Sequence, residues 1–235
     1  MNRKLLHLLA YVSFFTGILL GFALAVISTW SRVEAINYFF KGAKYDPFNG
    51  LRCPVLMSPT ETGMVNAVFN NRTNEPDTFF YRAEISGAGS VMRRIENQIT
   101  VSSHQTKSIR LTVDAKDIDL LFFIFVKMNI LPNSVHPSQE AVCGIMIANI
   151  LGLSGRQLAT LTIILSFLGI ALGLGLWQQT STKADRNTQS VIQALGFVVL
   201  FAMLAGALGW WIAGTVLSAI ALLLLVISLR SIFPE

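Results

Sequence analysis

Charge is scarce in this sequence. Only 13% of its 235 residues are Asp, Glu, Lys or Arg, against about 25% in an average soluble domain. With a mean hydropathy of +0.57, that scarcity argues against a wholly soluble protein. It also excludes a disordered chain, which needs low hydrophobicity and high charge. Cysteine is nearly absent: Cys53 and Cys143 stand 90 residues apart, so neither a CxxC redox pair nor a zinc site is present, and haem attachment through CxxCH is excluded. The three histidines, His7, His104 and His136, have no metal-ligand spacing. There is no P-loop. Gly87-Ala-Gly89 is followed by Met92 where a dinucleotide fingerprint needs glycine, and Gly152-Leu-Ser154-Gly155 is not a nucleophile elbow. Asp114, Asp117 and Asp119 lack the glycine and closing glutamate of an EF-hand and read as a solvated loop. The net charge of +5 is not gathered into a basic stripe, so nucleic acid is not an expected partner. No cofactor, metal or catalytic residue is expected.

Long uncharged runs are what the sequence does have. Leu5–Trp30 holds no Asp, Glu, Lys or Arg. About 20 such residues cross a hydrocarbon core of ~30 Å. A cleaved signal peptide would have a shorter apolar core and a small-x-small site, which Ile27-Ser28-Thr29-Trp30 lacks. Leu158–Trp177 is a second run, and Val191–Leu229 a third of 39 residues. The third is about 58 Å long as one straight helix, so it must fold back, most simply at Gly209-Trp210-Trp211. Four spans follow, at 5–30, 158–177, 191–209 and 211–229. A polar loop at 178–190 separates the second from the third.

The 13 basic and 11 acidic residues of Ser31–Gln157 leave only Arg3, Lys4, Lys183, Arg186 and Arg230, with Asp185 and Glu235, for the other 108 positions. The five basic residues all fall on one side of a four-span chain, which the positive-inside tendency makes cytoplasmic. Residues 31–157 are then external, on a bacterial inner membrane with both termini inside. Trp30, Trp177, Trp210 and Trp211 each fall at an expected span end, where indole favours the interface.

Between the cysteines the apolar period is two. Val65, Ala67 and Phe69 alternate, as do Phe79, Tyr81, Ala83 and Ile85, and then Ile109, Leu111 and Val113. Gln98–Ser102, Leu120–Ile130 and Ala141–Ile150 complete six to seven short strands separated by turn clusters. That pattern reads as an external immunoglobulin-like sandwich at 53–150, without a buried-tryptophan signature. Outside the cytosol Cys53 and Cys143 are expected to pair. The 31–52 segment carries Val33, Ile36, Phe39 and Phe40 at helical spacing. It reads either as an amphipathic helix on the membrane surface or as a linker packed on the sandwich. Leu120–Val126 is apolar at every position. In a strand Leu120, Phe122, Ile124 and Val126 would fill the core, leaving Leu121, Phe123 and Phe125 to point outward. Such a patch marks a docking site for a partner subunit, a contact with the membrane surface, or a face covered by residues 31–50.

Within the spans, small residues recur at four-residue spacing: Gly17 and Gly21, Gly169 and Gly173, Ala202 with Gly206, Ala205 with Gly209. Such faces allow close helix approach in lipid. The interior of the spans holds no ionisable group beyond His7, whereas transporters and pumps usually carry several.

Leu51-Arg-Cys-Pro-Val-Leu-Met57, Glu61-Thr-Gly63 and Cys143-Gly-Ile145, with three spans after the domain, resemble a group of uncharacterised four-span bacterial membrane proteins associated with filamentous anoxygenic phototrophs. The resemblance implies an electron-transport setting by lifestyle and no activity. Two functions are therefore expected to compete. One is a non-catalytic accessory subunit of a larger membrane complex, with other membrane subunits and the bilayer as partners. The other is a stand-alone anchored module recognising a peptide, glycan or envelope partner.

Overall fold

The computed structural model describes residues 3–39, 46–132, 137–180 and 186–232. Among these residues one α-helix, α1 (Arg3–Tyr38), is followed by nine strands and then three α-helices, α2 (Gly155–Thr180), α3 (Arg186–Ala207) and α4 (Trp211–Ile232). The strands are β1 (Asp46–Pro47), β2 (Leu51–Arg52), β3 (Leu56–Met57), β4 (Gly63–Asn70), β5 (Asp77–Ile85), β6 (Arg93–Val101), β7 (Thr106–Val113), β8 (Phe123–Ile130) and β9 (Gln139–Ile147). The chain divides into two compact units: Met1–Thr29 with Ala159–Glu235, and Trp30–Leu158. The parts of the sequence reading that rest on Phe40, His136, Lys183, Asp185 and Glu235 lie outside the described residues.

All four helices are long and apolar enough to cross a membrane. In the helical unit the glycines sit where backbones meet. A side chain on Gly17 would come within 2.7 Å of the Ile170 amide nitrogen, and one on Gly169 within 2.9 Å of the Gly17 Cα. Gly173 lies against the backbone of Phe14, Gly21 against Ser166 and Val199, and Gly206 against Ser28. The Ser166 hydroxyl donates to the Gly17 carbonyl at 2.8 Å, and Ser13 donates to the Gly169 carbonyl at 3.1 Å. In lipid, such close packing and hydrogen bonding take the place of a hydrophobic drive between helices. Phe14, Ile18, Ile170, Ile192, Leu195 and Val199 fill the centre.

Several expected boundaries change. Gly209 has a backbone role that the small-residue spacing did not signal. It ends α3 in a left-handed conformation (φ 79°), its N–H bonding to the Gly206 carbonyl and that of Trp210 to the Ala205 carbonyl. This is a Schellman stop, which a residue with a side chain resists. Trp177 is buried in the helix cluster, its ring 4.7 Å from that of Tyr11. Trp30 and Trp210 are exposed, and Trp211 opens α4. The 178–190 loop shrinks, since α2 continues to Thr180 and α3 begins at Arg186. Helix α1 does not stop at Trp30. Its 36 residues make about 54 Å, and its last nine, Trp30–Tyr38, belong to the β unit.

The β unit is sandwich-like. One sheet runs β1-β9-β8-β5-β6, with β3 also paired to β9; the other runs β2-β4-β7. β1 and β3 lie parallel to β9, and the remaining pairs are antiparallel. Val65, Ala67, Phe69, Leu111 and Val113 of the smaller sheet meet Phe79, Tyr81, Ile85, Ile124, Val126 and Met128 of the larger in one core. Burial in this core raises the Tyr81 hydroxyl pKa above its ordinary value. The period of two therefore sets β4, β5 and β7. It missed β1, β2 and β3, which are two residues each and too short for alternation to register.

Candidate functional site: the fastened sheet face and the strand ends

β8 is buried on both faces, which is why its first four residues, Phe123–Val126, are all apolar. Ile124, Val126, Met128 and Ile130 face the core. Phe123 and Phe125 point to the other side, yet both are buried, under Ala35, Tyr38 and Phe39 from the end of α1. The Tyr38 ring stacks 4.6 Å from that of Phe125, and its hydroxyl donates to Asp119 at 2.8 Å. Phe123 and Phe125 are thus no partner-docking patch: the chain's own helix end covers them. The 31–39 part of the linker is the cover. Leu121, expected beside them, belongs to a turn instead. Leu120 and Leu121 have φ of 46° and 70°, and Asp119 bridges back to Phe123. The strand starts late, so Leu120 and Phe122 stay exposed instead of entering the core.

The helix can lie this close because of Gly144. A Cβ there would run into the Ser31 carbonyl of α1. β9 offers a bare backbone opposite Phe125, and α1 rests on it. A glycine inside a strand is the sequence signal for such an approach. Next to it, Cys53 and Cys143 are joined as expected. The chain leaves the smaller sheet at β2 and joins the larger at β3, and Cys53 lies on that crossing. The disulfide pins the crossing to β9.

The chain's exit is fastened too. The Glu61 carboxylate accepts from the Gly155 N–H at 2.7 Å and from the Ser58 N–H at 3.1 Å. Ser154 and Gln157 form a reciprocal cap at the start of α2. A carboxylate on the first turn of a helix meets its unsatisfied N–H groups and favourable dipole end. The signal missed in the sequence is Ser58-Pro-Thr-Glu61, an S-x-x-E spacing. The three motifs quoted for the resemblance thus supply Cys53, Glu61, Cys143 and Gly144, all parts of this fastening.

On the outer face of the larger sheet, Lys127 pairs with Glu140 at 3.0 Å, with its ammonium 5.8 Å from the Phe39 ring centre. Arg94 pairs with the buried Glu84 at 3.0 Å, and Arg82 with Glu96 at 2.6 Å. Pairing explains how Lys127 and Glu84 can be buried, since a lone buried charge costs several kcal/mol. The acidic run is not a solvated loop. Asp114 and Asp117 form a capping box on a short 3-10 turn, and Asp117 is buried against Arg93 at 2.8 Å. Among the described residues no group of three or more His, Cys, Asp or Glu could hold a metal ion.

At the opposite strand ends a half-open cleft of about 460 Å³ lies between Phe48, Asn49, Arg52, Asn70, Arg72 and Gln139. Its two guanidinium groups could receive an anion or a polar ligand. Phe48, Phe69 and Phe79 at its floor are core residues.

Neither a family model nor a curated protein matches the chain. Solved structures with distant likeness include a Paenibacillus sp. cycloisomaltooligosaccharide glucanotransferase (12% identity, TM-score 0.34, 45% of this chain and 14% of that one). A Bacteroides uniformis beta-glucuronidase is similar at 10% identity and TM-score 0.32, over 41% of this chain and 12% of its own. A superoxide reductase (neelaredoxin) from Ignicoccus hospitalis is similar at 14% identity and TM-score 0.31, over 50% of this chain and 90% of its own. The chain spans about one seventh of the glucanotransferase or less of the glucuronidase, and likenesses this distant assign it no activity.

Proposed function

We propose that this chain is a non-catalytic, membrane-anchored accessory subunit that holds an external immunoglobulin-like domain in place within a larger bacterial membrane complex. Respiratory and photosynthetic electron-transport complexes are the candidate settings. The observation that carries the reading is the fastening of the domain to both of its helix ends, through Gly144 on Ser31 and Glu61 on Gly155. A domain on a loose tether would need neither. The β2-β4-β7 and β1-β9-β8-β5-β6 sheets support the immunoglobulin-like reading of the sandwich. Four apolar helices and a disulfide support a bacterial inner-membrane protein with the domain outside, where disulfides persist.

Two measurements test this. Native electrophoresis of gently solubilised membranes should find the tagged chain migrating with a large assembly; migration at the mass of the chain in its detergent micelle favours the stand-alone binding module instead. For topology, the paired native cysteines leave room for single-cysteine labelling. Thr106→Cys should react with an impermeant maleimide from outside the cell, and Ser181→Cys only after the inner membrane is opened. Labelling of Thr106→Cys from the cytoplasmic side reverses the orientation.

A further inference from the structure

We propose that the end of the β domain from which α2 departs carries a three-loop apolar foot that inserts into the interfacial layer of the lipid bilayer. Among the described residues, nine large apolar side chains between 46 and 154 are exposed, and seven of them lie in three loops at this one end. The β5–β6 loop presents Val91, 72% exposed, and Met92. The β7–β8 loop presents Leu120, Phe122 and Leu121, the last 91% exposed. The β9–α2 loop presents Ile150 and Leu151, the latter 90% exposed. Register places these loops together: Ile85 pairs with Val126, Phe123 with Met146, and the Ile147 N–H donates to the Phe122 carbonyl at 2.8 Å.

A clustered patch of this kind marks an interface, because water disfavours it. Its tips are also held out by unusual backbone. Leu120, Leu121 and Leu151 have φ of 46°, 70° and 54°, a left-handed conformation rare for leucine. The occupant follows from chain continuity, and this step rests on the reading of α2 as a membrane span. Leu151 is four residues from Gly155, the first residue of α2, and so at most about 14 Å from it along the chain. Side chains that dip about 5–10 Å into the headgroup and acyl boundary are within that reach. The acidic groups at this end are already engaged: Asp117 by Arg93, Asp119 by Tyr38, Asp114 by the Lys116 N–H, and Glu61 by Gly155. No uncompensated carboxylate among these opposes approach to a lipid headgroup layer.

The test uses the full chain reconstituted in phosphatidylcholine vesicles. An environment-sensitive fluorophore is placed singly on Val91→Cys, Leu121→Cys and Leu151→Cys. Thr106→Cys, at the far end of β7, serves as the aqueous control, and Leu168→Cys, on the exposed side of α2, as the lipid control. The three loop sites should be blue-shifted, quenched by lipids labelled near the headgroup, and quenched by aqueous iodide several-fold less than Thr106→Cys. Iodide quenching equal to that of Thr106→Cys, with Leu168→Cys quenched by lipid, overturns the foot and leaves the membrane reading standing. Failure of lipid quenching at Leu168→Cys overturns both. Loop sites shielded from iodide but untouched by lipid quenchers are covered by protein, which overturns lipid as the occupant.

Discussion

Serine at both Cys53 and Cys143 should lower the stability of the β domain by about 4–5 kcal/mol, the chain-entropy value for a loop of this length. The bond closes 90 residues, most of the domain, so the unfolded chain without it gains a large conformational freedom. A second contribution is local. Cys53 lies where the chain crosses from the smaller sheet to the larger, and Cys143 is a buried residue of β9. β2 and β3 are two residues each and have few backbone bonds to hold the crossing once the bond is gone. Since whole domains are stable by only about 5–15 kcal/mol, this loss takes a large fraction of the total. Thermal unfolding of the full chain in detergent, followed by near-ultraviolet circular dichroism, should drop by roughly 15–20 °C, at about 4 °C per kcal/mol for a domain of this size. Equal midpoints with and without the cysteines would show that β9 holds the crossing unaided.

Valine at Gly144 should cost about 2–3 kcal/mol, the upper range for overpacking. The obstruction is backbone: a Cβ at 144 meets the Ser31 carbonyl before it meets the Ser31 side chain. Full release of the α1 end would expose Phe123 and Phe125, each worth about 1.5–3 kcal/mol of burial. That sum exceeds the overpacking term, so β9 and α1 shift apart locally while the cover stays on. Two consequences can be measured on the full chain. Gly144→Ala should lose less than Gly144→Val, because less volume is forced into the contact. Ser31→Gly added to Gly144→Val should not restore stability, because it removes a side chain and leaves the carbonyl in place. Recovery in that double variant would place the conflict at the serine side chain; an unfolding midpoint unchanged by Gly144→Val would mean that α1 does not press on β9.

Much of the architecture was legible in the residues because it depends on local periods and run lengths. Uncharged stretches beyond about 20 residues placed four helices, and the two-residue alternation of Val65-Ala67-Phe69 and Phe79-Tyr81-Ala83-Ile85 placed central strands. The pairing of Cys53 with Cys143 was expected from their placement outside the cytosol, there being no other cysteine to compete. What tertiary structure decided is every question of which neighbour fills a space. Leu120–Val126 reads alike whether its outer face meets a partner, a membrane or its own chain; only the fold laid Ala35, Tyr38 and Phe39 over Phe125, and only a turn in left-handed backbone sent Leu121 elsewhere. Gly209 and Gly17 are equivalent in a small-xxx-small pattern, yet one stops a helix and the other admits one, because the pattern records size and not backbone conformation. Trp177 reads in the sequence as the end of a span, and only the fold packs its ring against Tyr11. Glu61 and Gly155 are 94 residues apart, so no local pattern could place that carboxylate on that helix end. The sequence by itself determined which segments avoid water and with what period. The close approaches that fasten helix to sheet and helix to helix were decided in three dimensions, since they depend on distances between residues that sequence spacing does not encode.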